Sequence, residues 1–337
     1  MRLLAALLAI PALAAAAPAA AQDRARVDWV TLHSPAIEGN LEGNSAERGA
    51  YVVTPPGYDE NPDRDYPVVY FLHGYYVEPA AYAELFDLED ALTGAAGSGN
   101  EVIFVMPDGY SKHRGSFYSS SPTTGNYEHF VAEDLVGWVD ANYRTIARRG
   151  ARGLAGHSMG GYGAMRVGMN HPEVFSSLYV MSAGGGSVRR ITPEMAERVE
   201  ANDGSVDLDA PIGGLQGDLA VLAAWSPDPT NPPNFVETGL RADGSIDPLV
   251  QARMAANSLS AMLAQHVREL QSYRSIAVDV GDQDGLMPDS QALSAQMVKL
   301  GIPHWLEIYE GGHGDKVSAR LRSHVLPFFA THLDRHN

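Results

Sequence analysis

Ser158 stands in the run Gly156-His157-Ser158-Met159-Gly160, with a short apolar, strand-like segment before it (151–155) and a helix-compatible segment after it (161–170) that carries Ala164, Met165, Val167 and Met169. A strand, a Gly-x-Ser-x-Gly turn and a helix, in that order, form a nucleophile elbow that lifts one serine hydroxyl clear of a sheet. The glycines matter because a Cβ at either flanking position would crowd the neighbouring strand or helix. The N-terminus of the following helix favours negative charge developing at the same point. A serine hydroxyl is nevertheless a poor nucleophile. It needs a base within hydrogen-bond reach, and the base needs a carboxylate to set its tautomer.

Two later segments supply those partners. The strand-like run 276–281 leads into Asp282-Gln283-Asp284-Gly285-Leu286, and the run 305–309 leads into Glu310-Gly311-Gly312-His313-Gly314. The order serine, acid, histidine, each on a loop just past a strand, is that of an elbow-type hydrolase. His313 is the expected base. Asp284 is the expected acid, because it lies further from the sheet edge and Gly285-Leu286 can turn the chain behind it. Asp282 is the alternative, and Asp279 sits within the strand. Of the other histidines, His304 opens a strand, the wrong end for catalysis in a parallel sheet. His324 and His332 belong to the last helix and His266 to the insertion described below, while His73 and His157 read as packing and hydrogen-bonding residues. An oxyanion requires two N–H groups aimed at one point. The backbone N–H of Met159, next to the nucleophile, is one candidate, and that of Tyr75 in Leu72-His73-Gly74-Tyr75-Tyr76 is the other.

These groups need a scaffold. Strands are expected at 50–54, 68–73, 102–106, 152–157, 178–182, 276–281 and 305–309, and helices at 127–143, 160–170, 288–300 and 316–333. The near-continuous apolar runs Val68 to Leu72 and Val102 to Val105 suit strands buried on both faces. Alternation of such strands with helices predicts an α/β fold with a mostly parallel central sheet covered on both sides. The rhythm breaks over 187–272, which holds a proline-rich strip, Pro227-Asp228-Pro229-Thr230-Asn231-Pro232-Pro233, and a long helical pattern over 248–273. This stretch reads as a partly helical cap inserted between 22–186 and 273–337, the two parts of the core. A peripheral decoration is the alternative. As a cap, the stiff strip would lie over the Ser158 cleft with Trp225 facing the substrate.

The first 21 residues read as a secretory signal peptide: Met1-Arg2 is the basic end, the run to Ala17 is apolar, and Ala19-Ala20-Ala21 offers small residues for cleavage after Ala21 or Gln22. No later apolar run approaches a membrane span. Export to the periplasm or the extracellular space is expected, with no membrane contact after cleavage. The chain has no cysteine, which excludes disulfides, thiolate catalysis and cysteine-ligated zinc. Its net charge of −17 argues against nucleic acid and anionic membranes as partners and suits solubility. Neither a metal site nor a cofactor is expected, and nothing in the sequence sets an oligomeric state.

With these residues in view, the chain resembles the esterase family within the α/β-hydrolases that includes esterase D, S-formylglutathione hydrolases, feruloyl esterases and mycolyltransferases. The matching pieces are Pro55-Pro56-Gly57-Tyr58, the run Tyr66 to Gly74, Tyr143-Arg144-Thr145, Gly156 to Gly161, Gly281 to Leu286 and Gly311-Gly312-His313. The resemblance implies an α/β-hydrolase fold, a Ser158–Asp284–His313 triad and cofactor-free hydrolysis of small-molecule carboxylic esters. The signal peptide and the lack of cysteine depart from the cytosolic thioesterases of the family. The aromatics Tyr75, Tyr76, Tyr110, Phe117, Tyr118, Trp225 and Phe235 either line an aromatic acyl pocket, with Tyr76 and Trp225 the foremost candidates, or pack the insertion on the core. An acyltransferase with the same triad and a catalytically silent binding protein are the competing readings.

Overall fold

Val68, Tyr70 and Leu72 belong to one buried cluster and Val69 and Phe71 to another, and all five are fully buried. A strand that buries both faces needs a helical layer on each side, and that is what surrounds it. The computed structural model describes residues 24–186, 189–207 and 212–336, so the signal peptide expected over 1–21 lies outside the described residues.

Eight strands form one sheet: β1 (Arg26–His33), β2 (Glu47–Thr54), β3 (Val68–Leu72), β4 (Ile103–Pro107), β5 (Arg152–His157), β6 (Ser177–Met181), β7 (Ser275–Gly281) and β8 (Trp305–Tyr309). Their order is β1-β2-β4-β3-β5-β6-β7-β8. The pairs β1/β2 and β2/β4 are antiparallel and every other neighbour is parallel. This is the α/β-hydrolase fold, and it brings the C-terminal ends of β3, β5, β7 and β8 to one edge. The helices Pro79–Phe86 and Leu88–Gly97 and the C-terminal helical run 317–332 cover one face of the sheet. The run 127–142, the helix Met159–Asn170 and the residues of the insertion share the core on the other.

Several elements differ from the sequence expectation. β1 is an additional edge strand, half solvated, whose pattern lacks the apolar run of the buried strands. Pro79–Phe86 and Leu88–Gly97 are helices with no counterpart in the expected set, and Asp87 between them takes a left-handed conformation (φ 46°) that separates two short pieces. The stretch 248–273 is three helices, Pro248–Ala256, Leu259–Leu263 and Val267–Gln271. Ser258 ends the first and caps the second, its hydroxyl accepting from the Ala261 N–H at 3.3 Å. A serine inside a helical pattern competes for the backbone in this way. Among the described residues no helix is long and apolar enough to cross a membrane.

Buried His113 ties the insertion to the core through Gln216 and stands beside a buried carboxyl, that of Glu42. The Glu42 and His113 side chains are 2% and 1% exposed, with Glu42 Oε1 3.8 Å from His113 Nε2. His113 Nδ1 donates to Gln216 Oε1 (3.0 Å) on the helix Gly214–Trp225, so its Nε2 lone pair faces the carboxyl. Burial pushes Glu42 up to about 7 against the Asn44 hydrogen bond and the Lys112 charge, and burial pushes His113 down to about 4. The pair is complementary when Glu42 carries the proton. An unfolded glutamate loses its proton near the ordinary value of 4.5, and the folded one near 7. Folding therefore takes up a proton between those values, and stability falls as pH rises through that window. Glu42→Gln should raise stability at pH 8 by up to about 3 kcal/mol, and by less at pH 5, in urea unfolding. An equal effect at both pH values would contradict this.

Candidate active site

Ser158 takes φ 59°, ψ −115° between β5 and the helix Met159–Asn170. A non-glycine residue there is strained and persists only where its surroundings hold it. The Ser158 N–H donates to the Met181 carbonyl (2.9 Å), and the Ser158 carbonyl accepts from Tyr162 (3.0 Å) and Gly184 (2.9 Å). The flanking glycines permit the turn. A Cβ on Gly156 would come within 2.1 Å of the Gly160 carbonyl oxygen, and one on Gly160 within 1.9 Å of the Leu72 carbonyl oxygen.

His313 Nε2 lies 2.9 Å from Ser158 Oγ, and His313 Nδ1 lies 2.9 Å from Asp284 Oδ2. The structure thus brings together the three residues expected from the sequence, although His313 follows the serine by 155 positions. Asp284 is 6% exposed, and its other oxygen accepts the Leu286 N–H at 2.9 Å. Burial alone would push this carboxyl up. The Leu286 N–H and the His313 imidazole outweigh it and hold Asp284 below the usual carboxylate range. An ionised Asp284 keeps a proton on His313 Nδ1 and leaves Nε2 free to accept one from Ser158. Asp282 serves the backbone instead. Its Oδ1 accepts the Gly311 N–H at 3.0 Å, while Asp282 N–H and Gln283 N–H donate to the Tyr309 and Gly311 carbonyls. It clamps the two loops that carry the acid and the histidine.

The Leu72–Tyr76 turn passes directly beside the nucleophile, since a Cβ on Gly74 would sit 3.4 Å from Ser158 Cβ. His73, fully buried, sets its orientation. Gly109 N–H donates to His73 Nε2 (2.8 Å), so the proton is on Nδ1, which donates to the Gly74 carbonyl (2.9 Å). Fixing that carbonyl turns the Tyr75 N–H of the same peptide the opposite way, because the two groups are antiparallel across a trans peptide. Met159 N–H lies at the first position of its helix, where no intrahelical acceptor exists.

A cleft of about 290 Å³ opens on Ser158 and His313, walled by Val77, Ala81, Leu85, Ile212 and Val317. Tyr75 lines it, whereas Tyr76 does not: Tyr76 N–H bonds the Arg114 carbonyl, and the Arg114 guanidinium stacks on its ring at 4.2 Å. Trp225 does not line it either. It is 2% exposed, its indole N–H donates to Ser119 Oγ (3.1 Å), and its ring packs on Phe117 and Tyr162 at 5.3 and 5.2 Å. The proline-rich strip borders two other depressions, through Pro232 and Pro233 in one and Pro229 in the other. The structure does not bring Trp225 to the Ser158 cleft; Trp225 instead borders a separate depression with Phe117, Gly185, Arg189 and Asp289. An indole with an available buried acceptor and two aromatic neighbours belongs to the core. His157 and Tyr82, which also line the cleft, carry more of the site's hydrogen bonding than their sequence context indicates.

The model of the Esterase family matches residues 44–316, most of the chain. The chain belongs to the Esterase family. Two esterases of Mycobacterium tuberculosis, from strains CDC 1551 and H37Rv, are each 35% identical over 147 residues, which is 42% of this chain and 30% of theirs. This Esterase-family chain therefore spans about a third of the length of those curated relatives. Among solved structures, a ferulic acid esterase is similar at 22% identity and a TM-score of 0.65, over 92% of this chain and 99% of that one. An S-formylglutathione hydrolase of Staphylococcus aureus is similar at 15% identity and a TM-score of 0.61, with the same coverage. These likenesses carry the fold.

Asp284→Asn should lower kcat for p-nitrophenyl acetate by about 10³- to 10⁴-fold, because the amide supports the wrong histidine tautomer. Asp282→Asn should cost far less, and the reverse ranking would reassign the acid. Trp225→Ala should destabilise the fold by about 3–5 kcal/mol. Its residual turnover of acetate and of bulky aromatic esters should fall alike, and a loss confined to the aromatic esters would return Trp225 to the substrate.

Proposed function

We propose that this protein is an exported serine carboxylesterase that hydrolyses small or aromatic carboxylic esters through an acyl-enzyme on Ser158. The observation that carries the reading is the chain of two 2.9 Å contacts from Ser158 Oγ through His313 to Asp284. Ser158 Oγ attacks the ester carbonyl carbon as His313 Nε2 takes the hydroxyl proton. The oxyanion forms against the Tyr75 and Met159 N–H groups, at the positive end of the helix Met159–Asn170. Collapse breaks the bond to the alcohol oxygen, which receives the proton from His313. Water then adds to the acyl carbon with His313 again as base, releasing the carboxylic acid and free Ser158.

The apolar cleft walls support neutral acyl and alcohol groups over ionic ones, and no lysine or arginine lines the cleft among the described residues. Membership of the Esterase family and the named activities of its neighbours agree with ester hydrolysis. The basic, apolar and small-residue order of the first 21 residues supports export. Ser158→Ala should reduce p-nitrophenyl acetate hydrolysis by at least about 10³-fold with the fold intact by circular dichroism. Activity close to wild type in that variant would end the proposal. Product analysis with added alcohols should give mainly free acid, whereas predominant transfer to the alcohol would make the protein an acyltransferase.

A further inference from the structure

Beneath Ser158 a second histidine is held as specifically as the first. His157 is 4% exposed and its ring lies 4.8 Å from that of His313. Its Nε2 is 2.7 Å from the main-chain carbonyl oxygen of His313, and its Nδ1 is 2.7 Å from the Tyr82 hydroxyl. A carbonyl can only accept, so Nε2 bears the proton and Nδ1 accepts the Tyr82 O–H. The Tyr82 oxygen in turn rests against the Gly74 backbone, where a Cβ would come within 2.5 Å of it. The chain therefore runs from Gly74, through Tyr82 and His157, to the main chain of His313. Tyr82 and His157 donate in the same sense, an arrangement in which each bond polarises the next.

Gly74 precedes the Tyr75 N–H expected to meet the oxyanion, and His313 is the expected base. We propose that His157, locked as the Nε2–H tautomer by Tyr82, is a positioning residue that holds the His313 main chain at a fixed distance from the oxyanion turn. The proposal rests on the reading of Ser158 and His313 as nucleophile and base. His157 packs its ring against that of His313 and acts through its Nε2 bond to the loop that presents the imidazole. Burial, followed by the neighbouring His313 charge, pushes His157 down to about 4, and the hydrogen bond to the His313 carbonyl and the Asp284 charge only partly oppose this. The tautomer therefore persists through the neutral range. Loss of the Tyr82 O–H would leave Nδ1 without a donor and let the proton move to it, turning a lone pair against the His313 carbonyl.

The test is a set of variants at the two positions, with kcat and KM measured on p-nitrophenyl acetate. His157→Gln places an amide N–H near the Nε2 position and should keep kcat within about fivefold of wild type. His157→Leu removes the donor and should lower kcat by about 100-fold with KM little changed, the order expected for a base displaced by about 1 Å. Tyr82→Phe, which deletes one oxygen, should lower kcat by about tenfold alone and add nothing in the His157→Leu background. That non-additivity marks two groups acting as one, and a purely packing role would not produce it. Should His157→Leu fail to fold, Tyr82→Phe and its combination with His157→Gln decide the matter. Wild-type kcat in Tyr82→Phe, or full additivity, would overturn the proposal. Ser158→Ala run in parallel separates the two levels: an inactive Ser158→Ala beside fully active Tyr82 and His157 variants would sink this inference alone.

Discussion

The close approach of Gly160 to the Leu72 carbonyl is the constraint on which the rest of the site depends. β3 and β5 are paired through Leu72↔Gly156, and the helix after Ser158 begins against the end of β3. Any side chain at residue 160 would separate the oxyanion turn from the nucleophile. Because that contact is made, Gly74 passes within reach of Ser158. The strain at Ser158 is the counterpart of this contact. Backbone bonds from Met181, Tyr162 and Gly184 hold a conformation that a serine would otherwise avoid.

Charge at the site is arranged with similar economy. Asp284 is the buried carboxylate beside the nucleophile's base, and it stays ionised because an N–H and an imidazole face its two oxygens. Next to the Ser158 turn, the buried His73 and His157 are both held neutral by burial, and each is used for tautomer-specific hydrogen bonding rather than for charge. Val77, Ala81, Leu85, Ile212 and Val317 give the cleft its apolar walls around Ser158 and His313.

The sheet and the Ser158, Asp284 and His313 positions are legible in the sequence because each is signalled locally. A buried strand is an apolar run, an elbow is two glycines around a serine, and the acid and base follow strand ends within a few residues. What is not legible depends on distant partners. Trp225 is fixed by Ser119, 106 residues away, and a tryptophan beside a proline-rich strip carries no local sign that its indole has a buried acceptor. His157 is bonded to Tyr82 and His313, 75 and 156 residues away, so its sequence neighbours reveal only that it precedes the serine. β1 gives no clear signal because an edge strand solvated on one face lacks the apolar density of its neighbours, and 248–273 misleads because non-helical residues at Ser258 and His266 divide a continuous helical pattern into three.

Covalent acylation of Ser158, with His313 as its base, is the central claim. Acid quenching during turnover of a slowly deacylated aromatic ester, followed by peptide mass mapping, tests it most directly. The expected result is the acyl mass on the peptide containing Ser158 in the wild-type protein, and its loss when His313 is replaced by alanine. An acyl group on another residue, or labelling of Ser158 that is equally fast without His313, would contradict it.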